Sequence, residues 1–551
     1  MQVYSSFFVC PVREKPNGFF LRELPRGVGY VSVKGVKKKW RHNEFKCAHI
    51  FLVFTEKKIG KIIDMNKIQQ DKGAGKMRNY TQQYINGEWV DSTGSETIDV
   101  INPATEEVIG KIISGTKEDV DRAVEAARAA FPAFSRMSRE ERIKLLENIA
   151  KEYENRKDDL VSVMTEELGS PVTRSEQVQY EMGLQHFKKA AENLKTFEFT
   201  EQRGDTLIQK EAIGVAGLIT PWNFPANQVC TKLASAFAAG STVVLKPAAL
   251  TPLTAIILAE IFESAGMPKG AFNLVNGSGS TIGEAISSHP GIDFVSFTGS
   301  GSVGSKIMEN AAQGIKKVSL ELGGKSPLVI LKDANVKEAA RTAVLNVAMN
   351  TGQVCTAATR TIVPKSMHDE FIKAIKEVLP EFPVGDPQDK ATFMGPQVSE
   401  GQWKTVQAYI EKGMDEGAVL VAGGTGKPEG LDKGYFTKIT VFTDVKSDMT
   451  IAKEEIFGPV MSILTYETID EAIEIANDTI YGLAGYVFGE DAAELRKVAS
   501  NIRAGQITVN NAKIDYSAPF GGFKQSGIGR EWGDYGMEEF LEPKAILGMP
   551  S

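Results

Sequence analysis

One pattern limits what this chain can fold into: short apolar runs that recur with helix-length segments between them. The runs are VAGLIT (215–220), TVVLK (242–246), AFNLV (271–275), DFVSF (293–297), VSLEL (318–322) and LVIL (328–331). Segments of helical spacing at 252–265 and 302–312 separate several of them. Such alternation argues for an α/β protein with mostly parallel sheets. Ligands in such sheets sit at the carboxyl ends of the strands. Upstream, Ser138 and Glu141 form a capping box ahead of a helix. Ile143, Leu146, Ile149, Ala150 and Tyr153 then recur at helical spacing.

At 551 residues the chain is too long for one hydrophobic core, so two or more domains are expected. A net charge of −7 lacks the basic footprint of a nucleic-acid partner. The four cysteines, Cys10, Cys47, Cys230 and Cys355, show no C-x-x-C spacing. A disulfide framework and a zinc site are therefore not expected, and a reducing cytoplasmic compartment is. The longest apolar run near the start, Ala48 to Phe54, falls far short of the roughly 20 residues of a membrane span. No signal-peptide pattern is present.

Charge is uneven. Residues 1–76 hold 16 Lys and Arg against 6 Asp and Glu, which leaves a net −17 on the rest. This basic stretch has no clean period, and regular patterning begins at Met77. The DKGAGK just before Met77 contains Lys-Gly, which AAG-GGN can encode, a purine run like a bacterial ribosome-binding site. Met77 is therefore expected to be the true start, and 1–76 a mis-assigned extension. An intact mass beginning at Met1 in the natively expressed protein would overturn this.

Five short motifs carry chemistry. GSGSVG (Gly299, Ser300, Gly301, Ser302, Val303, Gly304) follows a strand and opens a helix, the context of a dinucleotide loop. Its glycines let backbone approach a pyrophosphate at a helix N-terminus; a plain strand-to-helix turn is the alternative. TPWNFP (220–225) sets Asn223 in a rigid turn between two prolines, where its amide could face a developing oxyanion or merely form the turn. Lys246 ends an apolar strand, able to reach a ribose or phosphate, or solvent. Glu321 lies in an apolar strand before Gly323-Gly324, where a carboxylate is costly unless used or paired. It stands near the distance at which a dinucleotide fold places a ribose-binding acid. Cys355, in TGQVCTAATR, has small polar neighbours and is either inert packing or a nucleophile. His186, His289 and His368 lie in no recognisable Cys/His signature, so a cysteine hydrolase has weak support.

In order along the chain, PWNFP, KP, FTGSGSVG, LELGGKSP, GQVC, EEIFGPV (454–460) and PFGGFKQSGIGRE (519–531) resemble the NAD(P)-dependent aldehyde dehydrogenase superfamily, and within it bacterial enzymes of broad aldehyde specificity. The resemblance runs from about Met77 to the C-terminus. It implies Cys355 as nucleophile, Glu321 as general base rather than ribose ligand, Asn223 as oxyanion donor and Lys246 at the cofactor ribose. It implies further cofactor contacts at Thr220, Pro221, Trp222, residues 299–304, Leu322, Glu455 and Phe457. The implied reaction takes an aldehyde to a carboxylic acid through a cysteine thioester that water hydrolyses, with NAD or NADP as acceptor. If the Cys355 backbone N–H also serves the oxyanion, Cys355 is expected near a helix N-terminus, which would lower its pKa. Many NAD-preferring members carry a Glu three residues after the lysine; here Ala249 stands there, which leaves NADP open.

The implied architecture is a Rossmann-like cofactor domain (77–196 and 215–323), an α/β catalytic domain (324–535) and a small β oligomerisation element (197–214 and 536–551). The first part of that element should turn at Arg203-Gly204-Asp205. A homodimer or homotetramer is expected. The alternatives are a CoA-acylating dehydrogenase, which needs no water-activating Glu321, and a non-catalytic protein on the same fold.

Overall fold

Five all-parallel strands lie at the centre of the larger sheet: β1 (Val215–Ile219), β2 (Thr242–Lys246), β3 (Phe272–Leu274), β4 (Phe294–Thr298) and β5 (Lys317–Glu321). These come from a computed structural model that describes residues 78–550. The basic stretch 1–76 lies outside the described residues. All residues of β1, β2 and β4 are buried, as expected of strands covered on both faces. Helices α1 (Pro225–Ala239), α2 (Leu253–Ser264) and α3 (Gly301–Ala312) follow β1, β2 and β4.

The spatial order is β5-β4-β1-β2-β3. The chain therefore leaves β1 toward one edge and resumes at β4 on the other side of it. That reversal places a topological switch point between β1 and β4, where open α/β sheets bind ligands. A hairpin (Gln82–Ile85, Glu88–Asp91) extends the sheet beyond β3, and Gly527–Ile528 adds antiparallel to β5.

A second, seven-stranded sheet contains β6 (Pro327–Ile330), β7 (Arg360–Pro364), β8 (Val419–Ala422), β9 (Thr440–Thr443), β10 (Val460–Tyr466), β11 (Ala484–Phe488) and β12 (Gln506–Val509). Its order is β8-β9-β10-β7-β6-β11-β12, parallel except at the β8–β9 edge. A third, antiparallel sheet pairs Thr200–Arg203 and Thr206–Ala212 through a Gly204-Asp205 turn, and Leu541–Leu547 adds to it. Gly204 sits at φ +59, the left-handed conformation such a turn needs. The capping box forms as read: Glu141 N–H donates to Ser138 Oγ at 3.2 Å, and Ser138 N–H to the Glu141 carboxylate at 2.8 Å. No described helix is long and apolar enough to cross a membrane.

Candidate active site

β1 ends at Ile219, and the next four residues, Thr220 to Asn223, run past the sheet edge before Pro225 opens α1. Proline suits a first helical turn, since its missing N–H would have no partner there. Asn223 is 3% exposed, and its Nδ2 donates to the Gln353 carbonyl at 3.1 Å. Its own carbonyl accepts from Asn350 Nδ2 at 2.8 Å and Gln179 Nε2 at 3.2 Å. One amide N–H of Asn223 thus locks it to the loop bearing Cys355, and the other remains for a ligand.

That loop is strained. Asn350, Thr351 and Gly352 are consecutive left-handed residues, with φ of +49, +59 and +71. A Cβ on Gly352 would overlap the backbone of Gly458, so this position admits only glycine. The strain is held by Thr351 Oγ1 on the Gly395 carbonyl (3.1 Å) and by Val398 N–H on Gln353 Oε1 (2.9 Å). Such outliers persist only where surrounding structure over-determines them.

Cys355 is half-buried and packs against Leu483, Phe520 and Trp532. Burial pushes its thiol pKa well up, and the Glu455 and Glu321 charges add to that. The N–H groups of Cys355 and Thr356 pull the other way and are outweighed. The expected helix N-terminus is absent: Cys355 lies in a turn after the 3₁₀ segment Met349–Gly352, and the next element is β7. The expected lowering of its pKa fails for the same reason, since no helix end offsets burial beside two carboxylates.

Glu321 ends β5 at 3% exposure, and neither oxygen has a hydrogen-bond partner. Burial, then the Glu531 charge, hold its carboxyl well above the usual range, against Lys232 and Arg530. Lys232 Nζ contacts Glu531 at 2.5 Å and Ser296 Oγ at 2.9 Å. The Gly323-Gly324 turn after β5 lets two other segments close in. Gly324 N–H donates to Glu455 Oε1 at 3.1 Å, and a Cβ on Gly324 would come within 2.5 Å of the Cys355 carbonyl. Burial raises the Glu455 carboxyl to about 7. Phe457, at φ +56, sets its ring edge-on to Trp222 with centroids 5.3 Å apart.

At the switch point, Thr220 Oγ1 and Thr298 Oγ1 are buried without partners, beside the ends of the adjacent strands β1 and β4. Lys246 ends β2 at 4% exposure; its Nζ donates to the Pro247 carbonyl at 2.7 Å, and burial lowers its pKa to about 8. Gly299 N–H donates to the Glu321 carbonyl at 3.0 Å. The first turn of α3 is open: Ser300, Gly301, Ser302 and Val303 are exposed, while Gly304 lies against Leu322. An accessible helix N-terminus, two unpaired hydroxyls and a buried lysine at one sheet edge fit a nicotinamide dinucleotide.

Sequence reading missed the Lys232–Glu531 pair, whose members stand 299 positions apart with no local signal. It also missed the Gln179 and Asn350 amides that hold Asn223. None of the three described histidines hydrogen-bonds Cys355. His186 bonds Asn227 (2.7 Å), His289 bonds Asp121 (3.2 Å), and His368 bonds Thr443 (2.7 Å) and Asp369 (2.9 Å).

Comparison with known proteins points the same way. The model of the aldehyde dehydrogenase family matches residues 89–546. A Staphylococcus haemolyticus protein named "Putative aldehyde dehydrogenase" is 60% identical over 472 residues, covering 86% of this chain and 99% of its own. Among solved structures, a cysteine-to-alanine mutant of aldehyde dehydrogenase C from Pseudomonas syringae, with NAD+ and octanal, is 45% identical. Its TM-score is 0.84, and the match covers 85% of this chain and 97% of that one. A Mycobacterium tuberculosis aldehyde dehydrogenase with NAD+ is 42% identical, with TM-score 0.84, covering 86% and 99%.

Proposed function

The chain belongs to the aldehyde dehydrogenase family, and we propose that it oxidises an aldehyde to a carboxylic acid through a thioester on Cys355, with NAD as acceptor. The carrying observation is the meeting of three separate segments around Cys355: the Asn223 turn, the Glu321-Gly324 strand end and the Glu455 loop.

The Cys355 thiol must lose its proton to react, because the thiolate is the nucleophile. That proton passes to solvent, and Glu321, with its carboxyl held high, serves as base in the hydrolytic step. Sulfur adds to the carbonyl carbon, and the carbonyl electron pair moves to oxygen. The free N–H of Asn223 and the Cys355 backbone N–H hold that oxygen; one such donor contributes roughly 3–4 kcal/mol. As hydride leaves this carbon the oxygen's electron pair re-forms the carbonyl, giving the thioester on Cys355; a bound nicotinamide would supply the hydride acceptor. Glu321 then takes a proton from water as it adds to the thioester, and the carbon–sulfur bond breaks to give acid and free Cys355.

Lys246 and Glu455 would hold the two riboses, the first turn of α3 the pyrophosphate, and Thr220, Pro221, Trp222, Leu322 and Phe457 the walls. The NAD+ of the two solved relatives supports NAD. With Ala249 where a carboxylate would repel a 2′-phosphate, NADP is accepted as well. Residues 77–196 and 215–323 form the cofactor domain, and 324–535 the catalytic domain. Residues 197–214 and 536–551 are the assembly element of a cytoplasmic homodimer or homotetramer, supported by a three-stranded sheet with both edges open. Light scattering tests the assembly; a monomer would remove it. An aldehyde panel with NAD or NADP, followed by absorbance of the reduced cofactor, tests the activity. No signal with any aldehyde would overturn it.

A further inference from the structure

Helix α1 is buried along its whole length, yet its two sides differ. Ala226, Val229, Cys230, Leu233 and Phe237 share one side at helical spacing. Asn227, Gln228, Thr231 and Lys232 share the other. The flanks of this polar stripe have partners: Asn227 bonds His186, and Lys232 bonds Glu531 and Ser296. Between them, Gln228 Oε1 and Thr231 Oγ1 are buried without any, in residues 6% and 3% exposed. Buried polar atoms are nearly always hydrogen-bonded, and two adjacent exceptions call for an explanation.

Their surroundings supply one. On the Asn227 flank, His186 packs edge-on to Tyr516 (5.2 Å), Tyr516 meets Trp532 (5.4 Å), and Trp532 stacks on Phe520 (4.5 Å). Phe520 and Trp532 in turn pack against Cys355. On the Lys232 flank, the charges of Lys232 and Glu531 both act on Glu321. The stripe is thus tied to Cys355 on one side and Glu321 on the other.

We propose that the preferred substrates are hydroxylated aldehydes of three or four carbons, whose hydroxyl meets Gln228 and Thr231 on this side of α1. The proposal rests on the reading of Cys355 as nucleophile. A substrate hydroxyl donates to Gln228 Oε1 and exchanges a hydrogen bond with Thr231 Oγ1; an alkyl chain leaves both atoms desolvated and unpaired. Gln228 lies about one helical turn into α1, roughly 5 Å along the axis from its start beside Asn223, within reach of so short a chain. Sites built to hydrogen-bond a substrate hydroxyl reject the analogue lacking it far more strongly than apolar slots reject a missing methylene.

The test compares kcat/KM for glyceraldehyde with propanal, and for 3-hydroxybutanal with butanal, each corrected for carbonyl hydration. The hydroxylated member should be favoured by about 10- to 100-fold. Thr231→Val and Gln228→Met should each bring that ratio toward one. A wild-type preference for the alkyl members, or a ratio that neither variant moves, overturns this proposal and leaves the role of Cys355 standing. Oxidation of no aldehyde at all overturns the proposed function and this inference with it.

Discussion

Cys230 and Cys355 are the two cysteines among the described residues, and burial raises the thiol pKa of both. Cys230 lies on the apolar side of α1 at 0% exposure, and burial alone accounts for its shift. Cys355 is half-buried on a strained loop, where the charges of Glu455 and Glu321 raise its pKa further and two backbone N–H groups oppose them. A depressed pKa therefore does not mark out the thiol proposed as nucleophile from the other one. What separates them is access and company: Cys355 is half-buried, on the loop that the Asn223 amide holds and within the field of Glu455 and Glu321, whereas Cys230 is fully buried in the apolar core.

The largest test of this contrast is Cys355→Ala, which should lower turnover by about 10⁴-fold or more, followed as reduced cofactor. Turnover near wild type would erase the distinction between the two thiols. Glu321→Gln should cut steady turnover by about 10²- to 10⁴-fold. Rapid-mixing absorbance should still show one equivalent of reduced cofactor formed quickly, before the thioester stalls; undiminished steady turnover would remove Glu321 from hydrolysis. Asn223→Ala should cost about 10²- to 10³-fold, mainly in kcat; an effect confined to KM would count against an oxyanion role.

A subtler contrast is in pH. With its thiol pKa raised, Cys355 in the cofactor-free protein should alkylate slowly at neutral pH. The rate should climb about tenfold per unit as pH rises, because the thiolate fraction grows below the pKa. A rate flat across this range would show a thiol already ionised. Cys230 should stay unlabelled until the protein unfolds. Smallest of all, Cys230→Ala should leave kcat within about twofold and cost about 1 kcal/mol of stability, read by denaturant titration.

Much of the fold was legible in the letters. The six apolar runs became β1 to β6, five strands of the first sheet and one of the second, because strands covered on two faces carry near-continuous apolar residues. Ser138 and Glu141 announced their helix because a capping box is a local device four residues long. The placement of Cys355 was less so. A helix N-terminus was expected; a 3₁₀ turn and three left-handed residues stand there instead, fixed by contact with Gly458 and Gly395 from distant segments. The polar letters Asn227, Gln228 and Thr231 were visible, but not that two of them would be buried without partners.

The sequence by itself determined which elements form and which residues can carry chemistry, since strand patterning, caps and residue types act within a few positions. Tertiary structure alone decided how they meet: the Gly352 backbone against Gly458, Glu455 on the Gly324 N–H, and Lys232 on Glu531. These contacts span about 100 to 300 residues, and close approach of backbones and charges at that range exists only once the sheets have packed.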